Sequence, residues 1–302
     1  MLESKTIDTK LAEDLPLLKD VLEVRRAPGG HWVGDGFPVR TVFAYDNAEA
    51  LSPFLLLDYA GPFHFTPSSK RRGVGEHPHR GFETVTVVYS GEVEHRDSSG
   101  GGGKIGPGDV QWMTAGSGLV HEEMHTAEFT KRGGAFEAIQ LWVNLPARLK
   151  MTAPKYQTLL SNDIPEVPLA QGAGRLRVIA GVFDRAQGPA ETFTPMSLWD
   201  VRLKAEHSFN FTTADGHTAA VFVMKGSVSV NGQEARDAEM VILERRGEAV
   251  HIEASSDAGF LVLSGEPLDE PIVGYGPFVM NTEDEIRRAI TDYQSGRMGH
   301  LG

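Results

Sequence analysis

Two short segments hold the side chains best suited to chemistry: His77-Pro78-His79 and His121-Glu122-Glu123. On extended backbone, residues i and i+2 face the same side. The first segment therefore presents two imidazoles together, and the second an imidazole with a carboxylate. If strands bring the segments side by side in a barrel, three nitrogens and the Glu123 carboxylate converge on one ion. The chain contains no cysteine, which removes thiolate sites and disulfides. Imidazole plus carboxylate suits Fe, Mn, Ni, Co, Cu or Zn. Four such ligands on an octahedral ion leave two adjacent positions open, as oxygenase chemistry requires.

Other titratable groups compete for roles. Glu83 lies four residues past His79 and shares its parity, so a continuous strand turns it inward as a ligand, a base or a supporting carboxylate. His121-Glu122-Glu123-Met124-His125 matches the H-E-x-x-H pattern of zinc proteases, which needs a helix to stack its histidines one turn apart. Here Gly116 and Gly118 precede it and its surroundings read as strand, so His125 is read as solvated or hydrogen-bonded, with His95 and His217. Phe82, Trp112, Met113, Phe136, Gln140 and Trp142 are core residues or the lining of a pocket beside the ion.

Many short strands must position these groups. Residues 84–89, 92–95, 110–113 and 139–143 are dense in β-branched and aromatic residues. The tract 98–103 and Gly106-Pro107-Gly108-Asp109 read as turns. Proline and small residues dominate between Pro146 and Gly174, where the inter-domain connection falls. Beyond it the pattern restarts. Residues 220–224, Gly226 and 228–230 repeat the strand, glycine, strand order around Gly91, which points to duplication. The expected architecture is all-β: a first barrel over 1–150 and a second over 151–302. Asn281-Thr282 offers an N-cap for one closing helix with apolar Ile286, Ala289, Ile290 and Tyr293. In the second copy, Thr212 and Ala214 stand opposite His77 and His79. His251 and Glu253 fall opposite His121 and Glu123. Two ligands without the H-x-H pair are expected to hold no metal.

Composition narrows the partners. There are 29 basic and 41 acidic residues, a formal charge of −12, and no dense basic cluster beyond Lys70-Arg71-Arg72. Direct nucleic-acid binding is not expected. No apolar run approaches the roughly 20 residues of a membrane span. The first 20 residues show no positively charged start followed by an apolar stretch. With no cysteine, the expected location is the cytoplasm.

Longer motifs carry a family resemblance. Gly75-Glu76-His77-Pro78-His79-Arg80-Gly81-Phe82-Glu83-Thr84 resembles the first cupin motif in its pirin form. Residues 108–121, Gly108-Asp109-Val110-Gln111-Trp112-Met113-Thr114 through Leu119-Val120-His121, resemble the second. Tyr275-Gly276-Pro277-Phe278-Val279-Met280-Asn281-Thr282 is similar to the C-terminal signature of bacterial pirins. The resemblance runs from about residue 20 to near the end, and is poorer before residue 50. It implies a bicupin of two tandem cupin-type barrels, with one metal ion, usually iron as Fe2+, held in the first by His77, His79, His121 and Glu123. It also implies quercetin 2,3-dioxygenase chemistry. A flavonol binds in an apolar pocket, Glu123 or Glu83 removes its 3-hydroxyl proton, and O2 cleaves the ring to a depside and carbon monoxide. The family's other implied role is iron-dependent regulation through a protein partner, such as a transcription factor or a metabolic enzyme.

Overall fold

The computed structural model describes residues 16–302. The N-terminal half is almost entirely strand: β1 Val21–Arg26, β2 His31–Val33, β3 Phe37–Phe43, β4 Phe54–Phe65, β5 Gly73–His79, β6 Phe82–Ser90, β7 Val93–Asp97, β8 Gly102–Ile105, β9 Val110–Thr114, β10 Leu119–His125, β11 Gly134–Asn144 and β12 Lys155–Leu159. Two sheets make the first barrel: seven strands in the order β12-β9-β6-β11-β4-β3-β2, and four in the order β5-β10-β7-β8. The second half repeats this plan with seven strands and four. The fold is a duplicated all-β cupin pair, as the recurring strand pattern predicts.

Alternation along the strands shows where the core sits. On β6, Val85 and Val87 join one large buried cluster, as do Val110 and Trp112 of β9 and Ile139, Leu141 and Val143 of β11. That cluster also contains Ala220, Phe222, Met240, Ile242, Leu261 and Leu263 of the second half. The two seven-stranded sheets thus pack face to face, and Tyr59 meets Phe222 edge-on with ring centroids 5.4 Å apart. Strands buried on both faces read as near-continuous apolar runs. The opposite face of β6, with Phe82, Thr84, Thr86 and Val88, looks into the first barrel. The second barrel is filled by its own apolar cluster, which includes Val221, Val250, Ile252 and Phe260.

Both chain ends cross the expected division at residue 150. β1 lies on the strand Glu239–Leu243 of the second barrel, with Val24 opposite Val241. β12 lies on β9 of the first barrel, with Gln157 opposite Trp112. Each of these strands covers what is otherwise an open sheet edge. Residues 1–15 of the expected first domain lie outside the described residues. The C-terminal segment returns to the first barrel. Its hairpin of Val273–Tyr275 and Phe278–Met280 bridges to Arg80, and Phe278, Met280, Ile286 and Ala289 pack with Val120. Lys150, 1% exposed, donates to the carbonyls of Gly81 and Val279 and to Asn144 Oδ1. The boundary is therefore interlaced.

The closing helix, α2, spans Glu283–Gln294: Thr282 Oγ1 caps it by accepting from the Glu285 amide, and Glu285 Oε2 reaches back to accept from the Asn281 amide. A second helix, α1 Ala127–Arg132, was not expected. Thr126 caps it and Gly133, at φ 67°, ends it. No described helix is long and apolar enough to cross a membrane.

Candidate metal centre

β5 and β10 are antiparallel neighbours, with His77 directly opposite His121 and His79 opposite Leu119. This pairing brings the three imidazoles together, and one nitrogen from each lies within 4.8 Å of the others. Ring centroids are 4.3 Å apart for His77 and His121, and 4.8 Å for His79 and His121. His79 and His121 are buried, and His77 is half-buried.

The hydrogen bonds select the tautomers. A ring nitrogen that meets a carbonyl oxygen must donate, which leaves the other nitrogen with its lone pair. His77 Nδ1 meets Gly75 O at 2.8 Å, and His79 Nδ1 meets Pro277 O at 3.2 Å. For His121 the partner is another histidine. Its Nδ1 is 3.2 Å from His95 Nδ1, while His95 Nε2 is 3.2 Å from Asp97 Oδ2. A carboxylate only accepts, so His95 donates from Nε2, accepts at Nδ1, and turns the His121 Nε2 lone pair inward. That Nε2 atom is fully buried with no hydrogen-bond partner. An orphaned acceptor among converging imidazoles fits a metal ion. Burial, then the neighbouring histidines, hold His79 and His121 well below the usual imidazole range. Both are neutral, as ligands must be. Burial opposes ionisation of Asp97, but donation from His95, Ser99 and Gly101 outweighs it and brings the carboxyl to about 2.

A bulge lies between His121 and Glu123, and Glu123 faces the same cavity as His77 and His79. Its carboxylate is outside the close histidine triad. Oε1 accepts from Gln111 and from Thr86 Oγ1 (3.3 Å), and Oε2 accepts from Gln140 Nε2 (2.8 Å). These donors belong to a lateral polar row on the seven-stranded sheet. Thr41, Asp58, Gln140, Thr86 and Gln111 are consecutive cross-strand neighbours on β3, β4, β11, β6 and β9. The cavity, about 310 Å³, is otherwise apolar, with Phe37, Val39, Leu56, Val74 and Trp142 in its walls. Trp142 packs against His79 at 5.3 Å and Phe82 at 4.3 Å between centroids. A larger groove of about 750 Å³, lined by Tyr89, Arg202, Lys204 and Lys225, contains none of these donors. The smaller cavity is therefore the one that the candidate ligands His77, His79 and Glu123 line.

Two expectations need correction. Glu83 does not point inward. β5 ends at His79, and the chain turns at Gly81 with φ 90°. Parity restarts on β6, where Glu83 shares the face of Val85 and Val87. Its Oε1 accepts from Thr114 Oγ1 at 2.7 Å, and burial pushes its carboxyl up to about 7. His251 and Glu253 are likewise out of phase. Val250, Ile252 and Ala254 fill the inner face of their strand, while His251 and Glu253 point outward, 3.4 Å apart. Shifting an alignment by one residue exchanges a strand's two faces. His95, read as solvated or hydrogen-bonded, is the latter: it is 1% exposed and bonds to both Asp97 and His121. The H-E-x-x-H pentapeptide lies on β10, not a helix. Its His125 bonds to Gly36 O among Phe37, Phe65 and Phe136.

Comparison with known proteins agrees with the duplicated fold. The family model described as Pirin matches residues 36–143, and that for the Pirin C-terminal cupin domain matches residues 198–299. A Pseudomonas aeruginosa relative named "Putative quercetin 2,3-dioxygenase" is 56% identical over 93% of this chain and 98% of its own. A pirin-like protein of Caulobacter vibrioides is 39% identical over 87% of this chain and 94% of its own. The crystal structure of a quercetin 2,3-dioxygenase from Acinetobacter baumannii superposes with a TM-score of 0.92 at 51% identity, covering 94% of this chain and 100% of the other.

Proposed function

The chain belongs to the pirin family, and from that premise we propose that it is a metal-dependent dioxygenase cleaving a flavonol such as quercetin. One observation carries the reading: three imidazoles converge at the wall of an apolar cavity sized for a small aromatic molecule. His77, His79 and His121 hold the ion, Glu123 is the fourth ligand, and Fe2+ is the proposed metal. When bound, such an ion supplies Lewis-acid activation of a coordinated hydroxyl.

The chain's own residues do the rest. Phe37, Leu56 and Trp142 sandwich the flat ring system and keep water out. Gln111, Thr86 and Gln140 hold Glu123 in place as the acceptor that takes the 3-hydroxyl proton. With Glu83 on the other face of β6, the base is assigned to Glu123 alone. Both atoms of O2 enter the depside product, and one ring carbon leaves as carbon monoxide. The test is oxygen uptake and carbon monoxide release by the ferrous-loaded protein with quercetin. His77→Ala should lose both bound metal and turnover, and metal-replete wild type without turnover would refute the reading.

A further inference from the structure

The polar row of the first barrel contains an acid that the reaction above does not use. Asp58 is 8% exposed and lines the cavity, between Gln140 and Thr41 on neighbouring strands. Its Oδ1 accepts from Thr41 Oγ1 at 2.5 Å. Among the described residues, no other donor is recorded on this carboxylate. Glu123, the other acid of the cavity, takes three donors. A desolvated carboxylate served by one hydrogen bond favours a second donor from whatever enters beside it. Burial raises the Asp58 carboxyl above its usual range, against donation from Thr41 and the charge of His31. Around it the wall is Val39, Leu56 and Ala60, which offer a ligand no competing hydrogen bond.

Position gives this acid its meaning. Gln140 touches Glu123, and Asp58 sits one strand beyond Gln140, about 5 Å farther across the sheet. A flat phenolic ligand anchored by one hydroxyl at the histidines therefore extends along the row toward Asp58. We propose that Asp58 is a specificity residue that accepts a hydrogen bond from a second hydroxyl, remote from the metal-bound one, so that the cavity selects polyhydroxylated aromatic ligands over singly hydroxylated ones. This rests on the dioxygenase reading and adds the hydroxyl pattern of its substrate.

The test is anaerobic calorimetric titration of metal-loaded protein with quercetin and with 3-hydroxyflavone, which keeps only the metal-directed hydroxyl. Wild type should prefer quercetin by at least about tenfold, about 1.4 kcal/mol. Asp58→Asn keeps an acceptor for Thr41 but places an amide donor at the free position. It should weaken quercetin by about tenfold and leave 3-hydroxyflavone unchanged, and Asp58→Ala should do the same. Unchanged 3-hydroxyflavone binding and full metal content show that each variant is folded. Equal loss for both ligands, no loss for either, or a wild type without preference would overturn the role of Asp58 while leaving the dioxygenase reading intact. A metal-replete wild type that binds neither flavonol would remove that reading, and the inference with it.

Discussion

A histidine becomes a useful ligand only when its second nitrogen is occupied, and the three candidates meet this condition in three ways. His77 uses a carbonyl two residues away, His79 a carbonyl from the C-terminal segment, and His121 the buried His95–Asp97 pair. Replacing the partner of a metal-bound histidine typically lowers metal affinity 10–100-fold. His95→Ala is therefore expected to weaken metal binding by roughly tenfold or more, with Asp97→Asn moving in the same direction. Metal titration of the stripped protein reads this, and unchanged affinity in His95→Ala would show that the tautomer needs no such support. The convergence of the three histidines was legible in the sequence because i, i+2 spacing on a strand is a local rule. His95 and Asp97 have that spacing too, but nothing local distinguishes a buried supporting pair from a solvated one.

At the level of elements, the site depends on the turn that separates β5 from β6. Gly81 adopts φ 90°, donates to Gly116 O at 2.8 Å and accepts from Lys150. A Cβ there would overlap the Val279 carbonyl oxygen, so only glycine fits between β5 and the C-terminal hairpin. Gly81→Ala combines an unfavourable backbone conformation with this clash and should cost about 2 kcal/mol or more, seen as a lower denaturation midpoint. It should also weaken metal binding, since His79 stands two residues upstream. A variant matching wild type in both measurements would mean that the turn is not needed. The same turn explains why Glu83 was misplaced: alternation is reliable within a strand and carries no information across a positive-φ break. His251 fails for a related reason, because equal spacing in two copies does not guarantee equal phase.

Across the whole molecule, the largest apolar cluster lies between the barrels, and Glu83, 1% exposed, is on that shared face. Its carboxyl titrates near 7, against about 4.5 when unburied. Between those values the folded chain keeps a proton that the unfolded chain has released, so stability falls as pH rises through that window. Wild type should lose on the order of 2 kcal/mol between pH 5 and pH 8 relative to Glu83→Gln, which is uncharged throughout. Urea unfolding at both values measures this, and parallel profiles for the two proteins would show that Glu83 is solvated. Duplication was readable from recurrent strands and glycines. The exchange of β1 and β12, and the return of the C-terminal hairpin, were not, because such pairings join residues with no relation in spacing. The carbonyl that orients His79 lies 198 positions downstream. The partners that orient His77 and His121 thus lie within the first barrel's own stretch of chain, and the partner of His79 is synthesised far later. The candidate histidine set is therefore complete only when a segment from beyond the second barrel has folded back onto the first.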